Sequence, residues 1–544
     1  MKLEHEEQGP LWQRAAWGAY IILLLSISAL RIVDTYPVLS HTYDEPAHLA
    51  AGMELLDRGT YTYEEQHPPL ARVAAALGPY LLGARSHAED NIFGEGKAIL
   101  YASGDYLRTL SAARLGTLPF FLLLVAVTWM WAWLEFGAIH AAISALLFVS
   151  LPSVLAHAGL ATTDVPLAAG VTAALFAFVL WLERPDGWRG AACGAAVALA
   201  ITTKLSALVF LPACFLSIVA LRWWCERGRW SPLWVANHSP VGLLAGAAAF
   251  ALMIWAVYGC STDLLQPYRQ LWAGVQAVAE HNALGHPSFF WGEIRYDGWW
   301  LFFPAALLLK TPLPFLLLSG YGTIVLLREH RHEWRHLVPL VSAVAILLVA
   351  MPSHLDLGVR YVLPFYPMMT LVAGFGAARL LAWRSLAARA VSVALVIGEV
   401  VISAGAHPDY LPYFNVFAGD KPERLLVDSD MDWGQDVNRV AAELRARGVR
   451  QVTAALQGDA DLSQHGFPPY KDLDYHEPTA GWIVISVTQF AFGTSAPPFD
   501  GFRGLEAFEP VAMIGKTVLL YYFDPLGARD WRERNSAGPT SPSP

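Results

Sequence analysis

His41-Thr42-Tyr43-Asp44-Glu45-Pro46-Ala47-His48 follows closely on an apolar run from Ala15 to about Val33 that only Arg31 interrupts. A helix needs about 20 apolar residues to cross a bilayer, so this run can span one. Two adjacent carboxylates and a histidine therefore fall where the first span reaches the far surface. A second polar unit, Glu65-Gln66-His67-Pro68-Pro69-Leu70, lies in the same loop. No small-residue cleavage site follows the run, which reads as a retained span rather than a signal peptide. Later apolar stretches carry isolated charges near their ends. Ionisable groups are costly at that depth and usually line a site or a pathway. The pattern reads as a polytopic α-helical membrane protein with its chemistry at the outer face.

Composition agrees. The 544 residues are 55% hydrophobic and 15% charged, against about 25% charged in soluble domains. Mean hydropathy is +0.38. A net charge of −9 without a basic stripe argues against nucleic acid as a partner. Cys193, Cys214, Cys225 and Cys260 form neither a disulfide framework nor a zinc spacing. Trp and Tyr gather near the ends of the apolar runs, as interfacial anchors do.

Spans are expected near 15–34, 110–134, 139–157, 163–182, 188–204, 205–224, 239–258, 299–327, 337–352, 359–380 and 390–406, about eleven in all. Arginines alternate between loops: Arg184 and Arg189; Arg222, Arg227 and Arg229; Arg328, Arg331 and Arg335; Arg379, Arg384 and Arg389. The positive-inside rule makes these loops and the N-terminus cytoplasmic. Large outer loops then cover about 35–109 and 259–298. In the first, helices are expected from Pro46 to Arg58, stopped by Gly59, and from His67 to Leu82. The membrane part occupies 1–408. Residues 409–532 change character. Short β-rich runs at 424–427, 451–456, 482–487 and 517–522, with an amphipathic helix over 434–447, predict a small extracytoplasmic α/β domain. The Ser/Pro/Gly-rich tail, 533–544, reads as disordered.

Asp44 and Glu45 precede Pro46 and suit a helix N-terminus. Two acids are more than a cap needs, and a carboxylate in that loop can also take a proton from an attacking hydroxyl. Asp164, before Pro166 on the second outer loop, repeats the arrangement. Lys204, Lys310 and Arg360 lie at or within apolar spans. They could snorkel to the interface, or together hold an anionic phosphate. His67, His281 and His286, with Glu65 and Glu293 nearby, are residue types that bind metal. Their spacing matches no dedicated metal motif.

Asp44-Glu45-Pro46 after the first span resembles the first-loop acidic motif of GT-C glycosyltransferases. It is most similar to that of family 39, the protein O-mannosyltransferase and lipid A aminoarabinose transferase group. Gln66-His67-Pro68-Pro69-Leu70, Thr202-Thr203-Lys204, Glu280-His281, Gly298-Trp299-Trp300, Lys310-Thr311-Pro312-Leu313-Pro314 and Arg360-Tyr361-Val362-Leu363-Pro364 resemble further elements of that family, in the same order. His407 to Asn415 and Asp428 to Asp436 look like segments of its bacterial members, and their bland reading is to fix the C-terminal domain on the membrane part. The resemblance implies a GT-C fold and a polyprenyl-phosphate sugar donor at the outer leaflet of the plasma membrane. It implies an acceptor hydroxyl or amine on protein, lipid or glycan, and inversion at the anomeric carbon. The enzyme would be a hexosyltransferase of mannosyltransferase-like type. Asp44 would be the general base. Glu45 and Asp164 would orient the acceptor or share that role. Lys204 and Arg360, with His67 and Lys310, would hold the donor phosphate. Glu65, His281, His286 and Glu293 would serve a divalent metal or the acceptor. Gln66 stands where aminoarabinose-transferase-like members carry a metal-binding Glu, which weakens the metal.

Two other classes share the outer charges: a transporter or flippase of polyprenyl-linked glycans, and a non-catalytic envelope assembly protein. Transporters place polar groups near the bilayer midplane and often carry paired repeats. Neither feature is legible here.

Overall fold

The computed structural model describes residues 11–227, 240–474, 477–495 and 501–536. Arg229 and residues 537–544 of the expected tail lie outside these. Helix α1 is Leu11–Val33. The first large loop folds into α2 (Glu45–Met53), α3 (Pro69–Leu81) and α4 (Ile92–Tyr101). Then come α5 (Tyr106–Phe136), α6 (Ala138–Phe148), α7 (Pro152–Ala158), α8 (Asp164–Glu183), α9 (Gly187–Thr203), α10 (Ala207–Cys225), α11 (Pro240–Val257) and α12 (Gln266–Leu284). A hairpin of β1 (Ser288–Phe290) and β2 (Glu293–Arg295) leads to α13 (Phe302–Lys310), α14 (Leu313–Glu329), α15 (Trp334–Ala350), α16 (Phe365–Leu381) and α17 (Leu386–Gly405).

Six of the described helices are long and apolar enough to cross a membrane: α1, α5, α8, α10, α11 and α17. The pairs α6–α7 and α13–α14 are bent by 68° and 116° and raise the number to eight. The expected continuous span over 299–327 is thus two helices. The physical cause is Pro312, which cannot continue a helix and pushes Thr311 to extended backbone at φ −100°, ψ 131°. The chain similarly breaks between α9 and α10, where Lys204 is extended at φ −159°. Helix α9 is short for a span but packs closely against α11. A Cβ on Gly190 would lie 2.1 Å from the Gly242 carbonyl, and one on Gly194 would lie 2.0 Å from that of Gly246. Small residues at this spacing let membrane helices approach backbone to backbone.

In the first loop, α2 runs on as a π-turn over Glu54–Arg58 and stops at Gly59, whose φ of +69° suits glycine. Two buried groups hold α2 to the span behind it. Arg114 of α5 donates to Glu45 through Nε at 2.8 Å and Nη2 at 2.8 Å, and to the carbonyls of Leu39 and Ser40.

The C-terminal region contains α18 (Val437–Ala446) and a five-stranded mixed sheet. Its strands are β3 (Val452–Ala455), β4 (Tyr470–Asp472), β5 (Gly481–Ser486), β6 (Ala512–Ile514) and β7 (Val518–Phe523), in the order β4-β3-β5-β7-β6. Strand β3 pairs in parallel with β4 and β5, while β7 is antiparallel to β5 and β6. Alternation along β5 divides the core. Val484 packs with Val440 and Leu444 of α18, whereas Ile483 and Ile485 face Trp531 of the last helix, α20 (Pro525–Ser536). A short α19 (Val487–Ser495) lies between β5 and β6. The expected tail therefore begins inside α20 at 533–536. The expected run at 424–427 is not a strand; a 3₁₀ turn at Pro422–Arg424 leads into an irregular segment docked on the membrane part.

That docking uses backbone pairs and side chains that reach backbone carbonyls. Ser40 N donates to Gln435 O at 2.9 Å and Tyr43 N to Trp433 O at 3.0 Å. Asn415 Nδ2 reaches the Leu308 and Thr311 carbonyls at 2.6 and 2.7 Å, filling acceptors freed where α13 breaks. Within the C-terminal region itself, Asp432 accepts from Thr488 N at 3.1 Å, and its burial pushes its carboxyl up to about 6, partly offset by hydrogen bonds from Ser486 and Thr488. A carboxyl whose pKa is raised on folding stabilises fully below its unfolded value of about 3.9 and loses that contribution as pH rises through its folded value. The thermal midpoint of the C-terminal region should fall between pH 4 and pH 6.5, and the fall should be shallower in Asp432→Asn. Parallel pH profiles for the two proteins would show that Asp432 is not the group.

Candidate active site

At the end of the bundle where α2, α9, α12 and the C-terminal region meet is a cavity of about 540 Å³. This is within the size range of small-molecule sites. Asp44 lines it. The residue precedes α2, yet its side chain makes no capping bond. Instead Arg360 Nη1 donates to Asp44 Oδ2 at 2.8 Å, across 316 residues of sequence. The same nitrogen is 3.8 Å from Asp164 Oδ2. Asp164, first residue of α8, accepts from Lys204 Nζ at 2.6 Å. Asp44 and Asp164, each read as a possible cap, are thus both drawn into one alternating chain, Asp44–Arg360–Asp164–Lys204.

Local backbone explains how four distant residues converge. Lys204 sits at the extended break after α9, so its ammonium clears the helix and rests 4.2 Å from the Tyr361 ring centroid. Arg360 lies in a 3₁₀ turn entered through Gly358, whose φ is +88° and which has Ser429 and Asp430 packed against its Cα. Its guanidinium stacks 4.1 Å from the centroid of Trp433, a cation–π contact from the C-terminal region. Exposure separates the roles. The Asp44 side chain is 28% exposed, whereas that of Asp164 is 1% exposed. Asp164 does not line the cavity; it holds the two cations from behind.

Glu45 turns the other way. Besides Arg114, it accepts from Ala161 N and Thr42 N, both at 2.8 Å, and it does not line the cavity. Burial would raise its pKa, but Arg114 and these donors hold it below the ordinary value. Glu45 is thus a strut between α2, α5 and the turn before α8, and the expectation that it meets the acceptor is not met. Removing one partner of a buried pair costs about 3–5 kcal/mol. Glu45→Gln should lower the thermal midpoint sharply, with any residual folded protein still active. A variant with unchanged midpoint and lost activity would return Glu45 to the chemistry.

Lys310 is also absent from the cavity. Its ammonium is buried on the Leu411 carbonyl at 2.6 Å, the Asp430 carbonyl and the Phe414 ring, where it ties the C-terminal segment to α13. It cannot reach a phosphate there. His67 does line the cavity, with Nδ1 3.1 Å from Glu64 Oε1. Arg72 bonds Glu64 and donates from Nε to His48 Nδ1 at 3.1 Å. Burial lowers His48 and His67; it would raise Glu64, but Arg72 and His67 keep that carboxyl far below its usual range. Glu64, Arg72 and His48 were missed in the sequence. His48 stands one helical turn beyond Asp44, and Arg72 one turn into α3, so their spacing was available as a signal.

The expected metal residues do not converge. His281 Nδ1 is 3.0 Å from Gln66 Oε1, and the rings of His281 and His286 are 6.1 Å apart. Glu293 pairs with Arg295 at 2.8 Å, and Glu65 is exposed and off the cavity. Among the described residues no group of three metal-binding side chains forms at the cavity.

The C-terminal region supplies Asp428, Trp433 and Gln457 to the wall. Asp428 has φ +54°, rare outside glycine, and its backbone N donates to Thr488 Oγ1 at 3.0 Å. Burial raises its pKa against the pull of Arg360 and His286, and His286 opposite is lowered by burial.

Residues 60–261 match the family model described as dolichyl-phosphate-mannose-protein mannosyltransferase, under half of the chain. The fold matches the solved structure of ArnT from Cupriavidus metallidurans bound to undecaprenyl phosphate, with a TM-score of 0.51 at 15% identity over 92% of this chain and 98% of that one. The apo structure of the same protein gives 0.50 at 16% identity over 93% and 98%. The chain has the GT-C fold. It is a membrane protein. No curated protein matches it in sequence.

Proposed function

We propose that the protein is a membrane glycosyltransferase that moves a sugar from a polyprenyl-phosphate carrier to an acceptor hydroxyl or amine, with inversion. The observation that carries this reading is the Asp44–Arg360–Asp164–Lys204 chain at the cavity wall. It puts a partly exposed carboxylate beside two cations whose counter-ion, Asp164, is buried behind them. Lys204 and Arg360 would bind the donor phosphate and hold it as the C–O bond to the sugar breaks and its electrons pass to phosphate. Asp44 would take the acceptor proton as the acceptor attacks the anomeric carbon from the opposite side. A phosphate competes with Asp44 for Arg360, which frees the carboxylate when the donor is in place. The matched family model and the ArnT fold support the lipid-phosphate donor.

The cavity would face the outer side. Arginines of the alternate loops collect at the other end of the bundle, where Arg335 bonds Glu135 and Glu183, Arg222 bonds the Leu182 carbonyl, and Arg379 bonds Glu329. This is the cytoplasmic end by the positive-inside rule. The C-terminal region then lies outside, where Asp428 and Gln457 meet the sugar or the acceptor. The test is a panel of short-chain polyprenyl-phosphate sugars offered to purified protein with envelope extract. Release of polyprenyl phosphate from one donor supports the reading and names the sugar. Release from none, with folded protein and active extract, removes it.

A further inference from the structure

His330-Arg331-His332-Glu333 joins α14 to α15, and Trp334-Arg335-His336 opens α15, at the end of the bundle away from the cavity. Helix α15 alone separates the two ends by about 25 Å at 1.5 Å per residue. Two consecutive three-residue turns, Glu333 N to His330 O at 2.8 Å and His336 N to Glu333 O at 3.1 Å, bring residues 330, 333 and 336 to one side of the chain. The Glu333 carboxylate lies between two imidazoles. His330 Nδ1 is 3.0 Å from one oxygen and His336 Nδ1 3.0 Å from the other. One ligand atom from each of the three residues lies within 4.8 Å of the other two, and no other such group occurs among the described residues.

We propose that His330, Glu333 and His336 form a transition-metal site of the zinc class, distinct from the cavity and independent of the function assigned to it. Two imidazoles and a carboxylate are a zinc donor set, and nitrogen ligands disfavour Mg²⁺ and Ca²⁺. A metal held through Nδ1 requires the remaining proton of each ring on Nε2. In His336 that nitrogen faces Glu135 Oε1 at 3.7 Å, the carboxylate-behind-histidine arrangement that fixes a ligand's tautomer. Glu135 is itself held through its other oxygen by Arg335, from Nε at 3.1 Å and Nη2 at 2.7 Å. The His336 ring is further fixed by packing 5.1 Å from Phe136. Glu333 is 54% exposed, so an ion enters from solvent and a water completes the fourth position. A bound ion would pin the α14–α15 turn to the end of α5.

The experiment uses tag-free full-length protein in detergent, dialysed against buffered Zn²⁺, with zinc per chain read by mass spectrometry. Wild type should retain about one zinc per chain in the presence of excess Mg²⁺. His330→Gln and Glu333→Gln should each lower that by more than about tenfold, and His281→Gln at the cavity should leave it unchanged. Glu333 is exposed and His330 partly exposed, and the metal-free thermal midpoint verifies folding. If one variant fails to fold, the other decides. A wild type without zinc overturns the proposal. So does zinc retained in the folded variants, or a loss confined to His281→Gln.

Discussion

Asp44→Asn should lower turnover by about 10²–10⁴-fold, the usual contribution of a positioned general base, with donor binding retained. The change is isosteric. It removes the proton acceptor and leaves Lys204 and Arg360 in place. It also takes away the anion that Arg360 bonds at 2.8 Å, so the guanidinium becomes more available to phosphate. Donor affinity should therefore stay level or rise. Release of polyprenyl phosphate measured beside donor binding separates the two effects. Turnover near wild type would remove Asp44 as the base. Turnover and affinity lost together would make it a donor-binding residue.

Lys204→Ala is expected to act on both stability and binding, and a second substitution separates them. Lys204 and Asp164 are 7% and 1% exposed at their side chains and 2.6 Å apart. Removing the ammonium leaves Asp164 buried without its hydrogen-bonded cation, which costs about 3–5 kcal/mol. The thermal midpoint should fall, and donor binding with it. Adding Asp164→Asn removes the stranded charge and should restore most of the midpoint. Donor affinity should not return, because the phosphate still lacks its lysine. A stable double variant that binds donor like wild type would make the pair purely structural.

Asp44, Asp164, Lys204 and Arg360 were legible because each is a charge at the edge of an apolar run, where solvation alone cannot explain it. The same signal misled at Lys310, whose partners are backbone carbonyls and leave no mark in the sequence. Glu45 shows a second limit. Neighbouring helical residues point about 100° apart, so Asp44 and Glu45 face different sides. The side of Glu45 was set by Arg114, hidden inside a long apolar span. Trp433, Asp428 and Gln457 reach the wall only through tertiary docking, for which no spacing rule exists. The docking role read for Asn415 is seen in its bonds to the Leu308 and Thr311 carbonyls, whereas the bonds of Asp432 go to Gly434 and Thr488 and stay inside the C-terminal region. In the C-terminal region, β3, β5 and β7 fall on expected runs. Strands β4 and β6 have three residues each, too few to show an alternating pattern. The 424–427 run satisfied β-propensity but was claimed by docking instead.

The docked segment changes where the chain can be recombined. Composition shifts near residue 409, yet residues 409–436 are wedged among α13, the Arg360 turn and the 40–43 segment, and carry Asp428 and Trp433 into the cavity. A chimera cut at 409 would build one wall of the cavity from another protein's residues. A cut just before α18, at Val437, keeps most of that wall with the membrane half and leaves Gln457 as the cavity residue exchanged. Swaps at that joint would isolate what the outer sheet contributes to the choice of substrate.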